Sequence, residues 1–343
     1  NPSSAHWAGA PARAMLDAAR AEVAALLGCA PEEIVFTSGG TESNNLAVKG
    51  VFYASGQPHP HLITSAVEHA AVSAPLRFLE RQGATLTWLP VDGAGRVDPD
   101  GLRRALRPDT LLVSIMHANN EVGTIQPIAE CAAIAREHGV LFHTDAAQSV
   151  GKLPTRVDDL GVDLLSIAGH KFQAPKGVGA LYVRRGVTLE PLLHGAGHEG
   201  GRRAGTESAL LAAGLGAACR LAADLSPMLQ VAVLRERLWD GLQARLGTGI
   251  LRCGDPDACL PNTLGCAFPG QAGEALLARL DGIAASAGSA CHAADAAPST
   301  VLRAMGMPDA LAIGAVRFSL GRETTAAEID TVIGRVTELL GAA

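Results

Sequence analysis

Lys171 is the side chain that most strongly suggests covalent chemistry in this sequence. The chain contains four lysines, at positions 49, 152, 171 and 176, and arginine supplies all its other basic side chains. Lys171 stands in the stretch SIAGHKFQAPKG, directly after a Gly-His pair. A lysine kept where arginine would serve for charge indicates amine chemistry.

Other polar residues follow runs that are typical of strands, where doubly wound sheets bind ligands. Asp145 ends VLFHTD, His69 follows HLITS, and His170 precedes Lys171. A carboxylate at that depth needs a partner such as a protonated heterocyclic nitrogen, although Asp145 could instead cap a helix. Each histidine alone could be structural, but two at equivalent strand ends favour contact with a flat cofactor ring or its phosphate.

The stretch SGGTES, residues 38–43, follows the strand-like IVFT and opens an amphipathic segment. Small residues at a helix start let backbone N–H groups approach an anion, so Gly40 and Thr41 could bind a phosphate. An ordinary glycine turn is the alternative, and the short motif alone is weak evidence.

Two more candidates lie near the end of the chain. Cys291 stands among small residues in SAGSACHAADAAPS, where a thiol could be an accessible nucleophile or a buried side chain in a tight turn. Arg317 lies in the strand-like VRFSL, where it could bind a substrate carboxylate bidentately or face solvent at a sheet edge.

Composition narrows the functional classes. The 343 residues are 48% hydrophobic with a net charge of -6 and no basic block, so we expect a globular protein that binds a small molecule and neither nucleic acid nor a membrane. Seven cysteines, an odd number without a CxxC pair, indicate a reducing compartment and no zinc site. No apolar run approaches the ~18 residues of a membrane span, which favours a cytoplasmic protein.

Alternating strand and helix patterns predict an α/β fold with a mostly parallel sheet. The strand-like runs lack clean alternation, as expected for a sheet covered on both faces. After about residue 205 the pattern changes to long Ala/Leu/Arg helices, and a Ser-Pro pair at 226–227 suggests a boundary. We therefore expect a large cofactor-binding domain over 1–228 and a small C-terminal domain over 229–343 that carries Cys291.

Five ordered motifs, HTDAAQS, SIAGHK, RRAGTES, SAGSACHA and VRFSLGR, resemble those of the cysteine desulfurases, pyridoxal-phosphate enzymes of the class V aminotransferase family. The likeness covers essentially the whole chain and is greatest to the NifS/IscS-like, group I members. It implies pyridoxal-phosphate fold type I, in which a large domain has a mostly parallel seven-stranded sheet flanked by helices and a smaller α/β domain follows.

The resemblance also implies roles for individual residues. Lys171 would hold pyridoxal phosphate as a Schiff base, which arginine cannot form, Asp145 would keep the ring nitrogen protonated, and His69 would stack on the ring. The other cofactor-binding positions would be Gln148 at the phenolic oxygen and, around the phosphate, Gly40, Thr41, His170 and Thr206, the last reaching across from a second subunit. Such shared sites imply a homodimer.

The resemblance implies that the substrate is L-cysteine and that Asn120 and Arg317 would hold its carboxylate. Cys291 would attack the substrate sulfur, leaving alanine and a persulfide for a sulfur-acceptor protein, either an iron-sulfur scaffold or a tRNA-thiolating enzyme. One position departs from the family, because Ala168 replaces a serine that donates to the phosphate. A selenocysteine lyase, another class V aminotransferase and an inactive assembly partner with this fold are the alternatives.

Overall fold

The structure is a computed structural model, and it describes residues 1–287 and 298–341. Within these residues the strands are β1 Ile34–Thr37, β2 His61–Ser65, β3 Thr85–Leu89, β4 Thr110–Ser114, β5 Leu141–Asp145, β6 Leu164–Ala168, β7 Gly179–Val183, β8 Leu251–Cys253, β9 Thr263–Ala267, β10 Ser286–Ala287 and β11 Ala315–Ser319.

The α-helices in the same part of the chain are α1 Ala10–Leu27, α2 Gly40–Ser55, α3 Ala70–Glu80, α4 Pro99–Ala105, α5 Ile128–Glu137, α6 Val157–Leu160, α7 Ala209–Ala222, α8 Ser226–Leu246, α9 Gly273–Leu277, α10 Thr300–Ala304, α11 Asp309–Ala312 and α12 Ala326–Gly341. Among them, no single helix is long and apolar enough to cross a membrane, and α7 and α8 meet that criterion only when taken together.

The described residues form two compact units. The first comprises Asn1–Leu89, Val97–His117 and Pro127–Asp224, and the second comprises Pro90–Arg96, Ala118–Gln126 and the described residues from Leu225 onward. Short segments from the middle of the sequence thus pack with the C-terminal part of the chain. The domain boundary near residue 228 stays a prediction.

The first unit is built on a sheet of seven described strands in the order β1-β7-β6-β5-β4-β2-β3. The strands from β6 to β3 in this order are parallel, and β7 is antiparallel to both β6 and β1. The prediction of a mostly parallel sheet is therefore confirmed. Every residue of β1, β2, β6 and β7 is buried, as the continuous apolar runs indicated.

Helices cover this sheet with apolar side chains. Leu46 and Val51 of α2 and Leu76 of α3 pack in one buried cluster with strand residues such as Leu62 and Leu164. This packing matters for the site because α2 begins three residues after the end of β1 and α3 begins five residues after the end of β2. The starts of both helices are thereby held near the sheet.

The second unit contains a sheet of four described strands in the order β10-β11-β9-β8, and each neighbouring pair is antiparallel. Its buried core includes Leu238 of α8, Leu264 of β9 and Ile333 of α12. The smaller α/β layer expected at the C-terminal end is therefore present, and β11 carries Arg317.

Candidate active site

Polar residues of the first unit follow its parallel strands where those strands end. β2, β4, β5 and β6 run in one direction, so their carboxyl ends lie along one edge of the sheet. Asp145 is the last residue of β5, Lys171 comes three residues after β6, and His69 comes four residues after β2. The fold thus brings three residues that were singled out from the sequence to the same edge.

Asp145 is a buried carboxyl group with protein donors at both oxygens. Asn44 Nδ2 of α2 lies 2.6 Å from Oδ2, and the Ala147 N–H lies 2.9 Å from Oδ1. Burial raises the pKa of Asp145, and these hydrogen bonds and the positive charge of Lys171 oppose that increase. The residues that follow form turns and no α-helix, so the bond to Ala147 closes a turn.

A protonated pyridine nitrogen suits this environment. A cationic N–H group at the Asp145 carboxyl would favour its ionised form, which burial disfavours. Two buried polar atoms nearby, Asn44 Oδ1 and His117 Nδ1, have no hydrogen-bond partner within residues 1–287 and 298–341. The His117 backbone N–H donates to the Asp145 carbonyl oxygen at 2.9 Å. The donor set around Asp145 therefore fits the ring of pyridoxal phosphate.

A histidine and two serines lie in the sheet beside Asp145. His143 of β5 is fully buried, with Nδ1 2.8 Å from Ser114 Oγ of β4 and Nε2 2.9 Å from Ser166 Oγ of β6. Burial lowers the pKa of His143 to about 3, so the ring is neutral near pH 7. These bonds connect the adjacent strands β4, β5 and β6 two residues before Asp145, the last residue of β5.

His69 is oriented by the start of α3. Its Nδ1 accepts a hydrogen bond from the Ala71 backbone N–H at 3.1 Å, so the neutral ring carries its proton on Nε2. The side chain is partly exposed, and it both caps the helix and presents an aromatic face at the sheet edge. The structural and cofactor-related interpretations of His69 are compatible with each other.

Glu68, next to His69, is a half-buried residue with a buried carboxyl group, and the sequence analysis did not select it. Its Oε1 accepts hydrogen bonds from Ser65 Oγ at 2.6 Å and from the Met116 N–H at 2.9 Å. Burial raises the pKa of Glu68 to about 8, the two hydrogen bonds oppose the increase, and the charge of Asp145 adds to it. The side chain is therefore mostly protonated at pH 7, and it connects the segment after β2 to the segment after β4.

Lys171 lies in a short 3-10 helix, Gly169–Phe172, that follows β6, and its side chain is exposed. Gly169 makes this turn possible, since a Cβ there would lie 2.9 Å from the Val178 carbonyl oxygen. His170 is also exposed, and partial desolvation of its ring together with the charges of Lys171 and Lys176 lowers its pKa. The lysine amine can thus be reached by a ligand at the edge that holds Asp145.

The start of α2 has the features of a phosphate site. Gly39 has a φ of +148°, which favours glycine, and no atom of the described residues lies within 4 Å of where its Cβ would be. The N-cap residue Gly39 has no side chain to cap the 16-residue helix, which starts at Gly40 and has an exposed Thr41. A Cβ on Gly40 would lie 3.0 Å from the Ala168 Cβ, so small residues keep this helix start close to the end of β6. The arrangement fits an anion at the helix N-terminus.

Gln148 and Thr206 also belong to the first unit. Lys152 Nζ lies 3.2 Å from Gln148 Oε1, which turns the amide NH2 group away from that lysine. Thr206 is exposed and follows Arg203, whose Nε donates to Glu42 Oε1 of α2 at 2.8 Å. The segment that carries Thr206 is therefore attached to the same helix start. The assigned roles of both residues stay predictions.

The residues predicted to hold the substrate carboxylate belong to the second unit. Arg317 Nη1 donates to the Asn120 carbonyl oxygen at 2.5 Å, and Nη2 donates to Ser286 Oγ at 3.2 Å. The loop that carries Asn120 is organised by Asn119, whose Oδ1 accepts hydrogen bonds from the N–H groups of Glu121 and Val122. Asn120 and Arg317 are thus neighbours, as a shared substrate group requires.

Cys291 lies outside the residues that the structure describes. The described cysteines are all free thiols, at positions 29, 131, 219, 253, 259 and 266. Burial raises the pKa of each of these six, which makes them poor nucleophiles near neutral pH. Within residues 1–287 and 298–341 no group of His, Cys, Asp and Glu could hold a metal ion.

Several residues that organise the site were not selected from the sequence. Asn44 gives a weak signal, because it lies one helical turn after Gly40 and so faces the sheet. Glu68 and Glu121 stand beside His69 and Asn120, but neighbouring positions in sequence do not reveal burial. Ser299 could have been identified as a helix cap before TVLRA.

Comparisons with known proteins identify the family of this chain. The class-V aminotransferase family model matches residues 1–332. Cysteine desulfurase IscS of Dictyoglomus turgidum is 47% identical over 99% of this chain and 88% of its own length, and that of Methanosarcina thermophila is 46% identical over 99% and 85%. A solved structure of a NifS-like protein superposes with a TM-score of 0.93 at 38% identity and covers 100% of this chain and 92% of its own. The chain therefore belongs to the class-V aminotransferase family, among the cysteine desulfurases of the IscS and NifS type.

Proposed function

We propose that this protein is a pyridoxal-phosphate-dependent cysteine desulfurase that converts L-cysteine to L-alanine and leaves the sulfur as a persulfide on Cys291. The observation that carries the proposal is the sheet edge where buried Asp145, oriented His69 and exposed Lys171 meet. Relatives at 46–47% identity bear the name cysteine desulfurase, which favours this function over a transaminase or an inactive homologue.

Pyridoxal phosphate, when bound, supplies an electron sink that makes the bonds of the substrate Cα and Cβ labile. Asp145 would accept the ring N–H, and Asn44 holds its carboxylate for that purpose. Lys171 would hold the cofactor aldehyde and move protons to and from the substrate carbons. His69 would lie against the ring, and Gly40, Thr41, His170 and Thr206 would bind the phosphate.

The sulfur step would use the thiolate of Cys291. Its Sγ would form a bond to the substrate sulfur while the substrate Cβ–S bond breaks with its electron pair staying on carbon. That carbon would take up a proton and leave as part of alanine. Asn120 and Arg317 would hold the substrate carboxylate, and their mutual hydrogen bond supports a common role.

The partners and location are part of the proposal. Exposed apolar side chains lie on α1 and α7, which pack together in the first unit: Met15, Leu210 and Leu221. A second copy of the chain would cover them, and Leu210 lies four residues after Thr206, which would reach the partner's phosphate. The sulfur would pass to an iron-sulfur scaffold or a tRNA-thiolating enzyme in the cytoplasm, where the free thiols of this chain persist.

Mass spectrometry of the cofactor-loaded protein after exposure to L-cysteine tests the function. One added sulfur is expected on the peptide that contains Cys291, and Cys291→Ser should remove it while the visible absorbance of the bound cofactor remains. Cys29→Ser is the matched control and should keep the persulfide.

Lys171→Ala should lose the cofactor absorbance, whereas Lys176→Ala, five residues further along, should keep it. A parent protein that forms a keto acid from cysteine and no persulfide would identify a transaminase. A parent protein that forms neither product would identify an inactive homologue.

A further inference from the structure

An ion pair between Arg203 and Glu42 attaches the segment that carries Thr206 to the start of α2. Arg203 Nε lies 2.8 Å from Glu42 Oε1 and Nη2 lies 3.4 Å from Oε2, so the guanidinium donates to both carboxylate oxygens. The two side chains are 23% and 15% exposed, so solvent screens the pair only in part. Burial favours a higher pKa of Glu42, but the hydrogen bonds from Arg203 and Ser38 outweigh it and hold this pKa below its usual value.

Glu42 also fixes the turn that leads from β1 into α2. Its Oε2 accepts a hydrogen bond from the Ser38 backbone N–H at 2.8 Å. Gly40 and Thr41, which would bind the phosphate, lie between Ser38 and Glu42 in the sequence. The carboxylate of Glu42 therefore connects the phosphate-binding turn to the guanidinium of Arg203.

The guanidinium of Arg203 also packs against the backbone that presents Thr206. Gly205, directly before Thr206, has a φ of +108°, a conformation that favours glycine. A Cβ on Gly205 would lie 3.4 Å from Arg203 Nη1. The Gly205 N–H donates to His198 Nδ1 at 3.2 Å, which adds a second contact to this turn. Arg203 thus contacts both Glu42 and the turn that ends at the exposed Thr206.

The earlier part of the same segment is attached to β1 without Arg203. Glu199 is buried, and its Oε2 accepts from the Phe36 backbone N–H at 2.8 Å. Arg20 donates to both oxygens of Glu199, at 2.6 and 2.8 Å. The loss of the pair between Arg203 and Glu42 should therefore leave the segment in place and loosen only the turn before Thr206.

We propose that Arg203 is a positioning residue for cofactor binding: through its ion pair with Glu42 it fixes the turn that presents Thr206 to the phosphate. The inference rests on the proposed function, in which Thr206 reaches the phosphate bound by a second copy. Two of the three guanidinium nitrogens already donate to Glu42, so Arg203 acts through Thr206 and not as a phosphate ligand. The pair would then join the phosphate site of one copy to the residue that this copy supplies to its partner.

Comparison of pyridoxal phosphate with pyridoxal, which lacks the phosphate, tests the inference by equilibrium dialysis of the full chain. Arg203→Met keeps a long side chain without the charge. It should weaken pyridoxal-phosphate binding about tenfold, the size of one hydrogen bond to a charged group, and change pyridoxal binding by less than about threefold. Thr206→Val removes the hydroxyl and should show the same selectivity. Arg103→Met is the matched control, since Arg103 Nη1 pairs with Glu137 Oε2 at 2.7 Å in the same unit, and it should keep both parent affinities.

A double variant tests whether Arg203 acts through Thr206. Arg203→Met combined with Thr206→Val should bind pyridoxal phosphate no more weakly than Thr206→Val alone, because the hydroxyl that Arg203 positions is already gone. Losses that multiply would overturn the inference, since Arg203 would then act independently. If Arg203→Met does not fold, Arg203→Lys supplies the same comparison with a smaller loss, because lysine keeps the charge without the planar fork of a guanidinium.

The remaining outcomes separate this inference from the proposed function. Equal weakening of pyridoxal-phosphate and pyridoxal binding in Arg203→Met would overturn the inference, because the pair would then only support the fold. An unchanged affinity for pyridoxal phosphate in Arg203→Met or in Thr206→Val would overturn it as well. A parent that binds the cofactor but forms no persulfide with L-cysteine would overturn the proposed function, and the affinities would still decide the inference.

Discussion

Replacing Glu68, whose carboxyl group is buried, with glutamine should stabilise the protein increasingly as the pH rises. Burial raises the pKa of Glu68 from 4.5 to about 8, so the folded protein keeps a proton that the unfolded chain has lost above pH 5. Stability therefore falls as pH rises wherever the folded state binds more protons. The stability is lost between about pH 4.5, where the carboxyl group titrates in the unfolded chain, and about pH 8, where it titrates in the folded protein.

The magnitude follows from the same values. At 1.36 kcal/mol for each pKa unit, the parent should lose about 3 kcal/mol of unfolding free energy between pH 5 and 8 through this one group. The amide that replaces the carboxyl group has no proton to lose, and its oxygen can still accept from Ser65 and Met116. The difference in stability between the Glu68→Gln variant and the parent should therefore grow by that amount over this range.

Urea unfolding of both cofactor-loaded proteins at pH 5, 6, 7 and 8, followed by circular dichroism, measures this difference. The pH slope carries the test, because an amide also changes the local hydrogen bonding by a pH-independent amount. Glu328→Gln is the control: hydrogen bonds from Thr325 hold the pKa of Glu328 below its usual value, so its difference should be flat above pH 5. A difference for Glu68→Gln that is constant within about 0.5 kcal/mol would show an ionised carboxylate.

Two further predictions concern the cofactor. Ala168→Ser adds a hydroxyl group beside the start of α2. It should tighten pyridoxal-phosphate binding about tenfold, as expected for one hydrogen bond to a charged group. Unchanged affinity in equilibrium dialysis would mean that the phosphate binds elsewhere. Asn44→Leu removes the 2.6 Å donor to Asp145 and should weaken cofactor binding by about tenfold or more, whereas Asn45→Leu, which alters the next side chain of the same helix, should not. Equal losses in both variants would mean that α2 itself was disturbed.

Much of the first unit could be predicted from the sequence because its strands are short, continuous apolar runs. All seven strands of its described sheet coincide with such runs, and the polar residues at their ends mark the site. The antiparallel direction of β7 could not be seen, since periodicity within a strand is independent of its direction. Segments 90–96 and 118–126 join the second unit through tertiary contacts that composition does not record.

Candidate site residues can be selected from the sequence where the chemistry demands a particular residue type, and less easily where burial creates the property. Lys171 and Asp145 have few chemical substitutes. Glu68 and Glu121 are ordinary acids in the sequence, and only the surrounding protein raises their pKa values. Neither composition nor spacing reports that environment.

The neutral imidazole of His143 has a consequence for how this sequence can vary. Such a ring offers one donor and one acceptor, so of Ser114 and Ser166 one must give its hydrogen to the ring and the other must receive one. Leucine at position 143 would leave the buried hydroxyl groups of both serines without their hydrogen bonds to the ring. Alanine at either serine would leave one ring nitrogen of His143 without its partner. We therefore expect the residues at positions 114, 143 and 166 to change together in evolution, so that a homologue with a different residue at one position also differs at the other two.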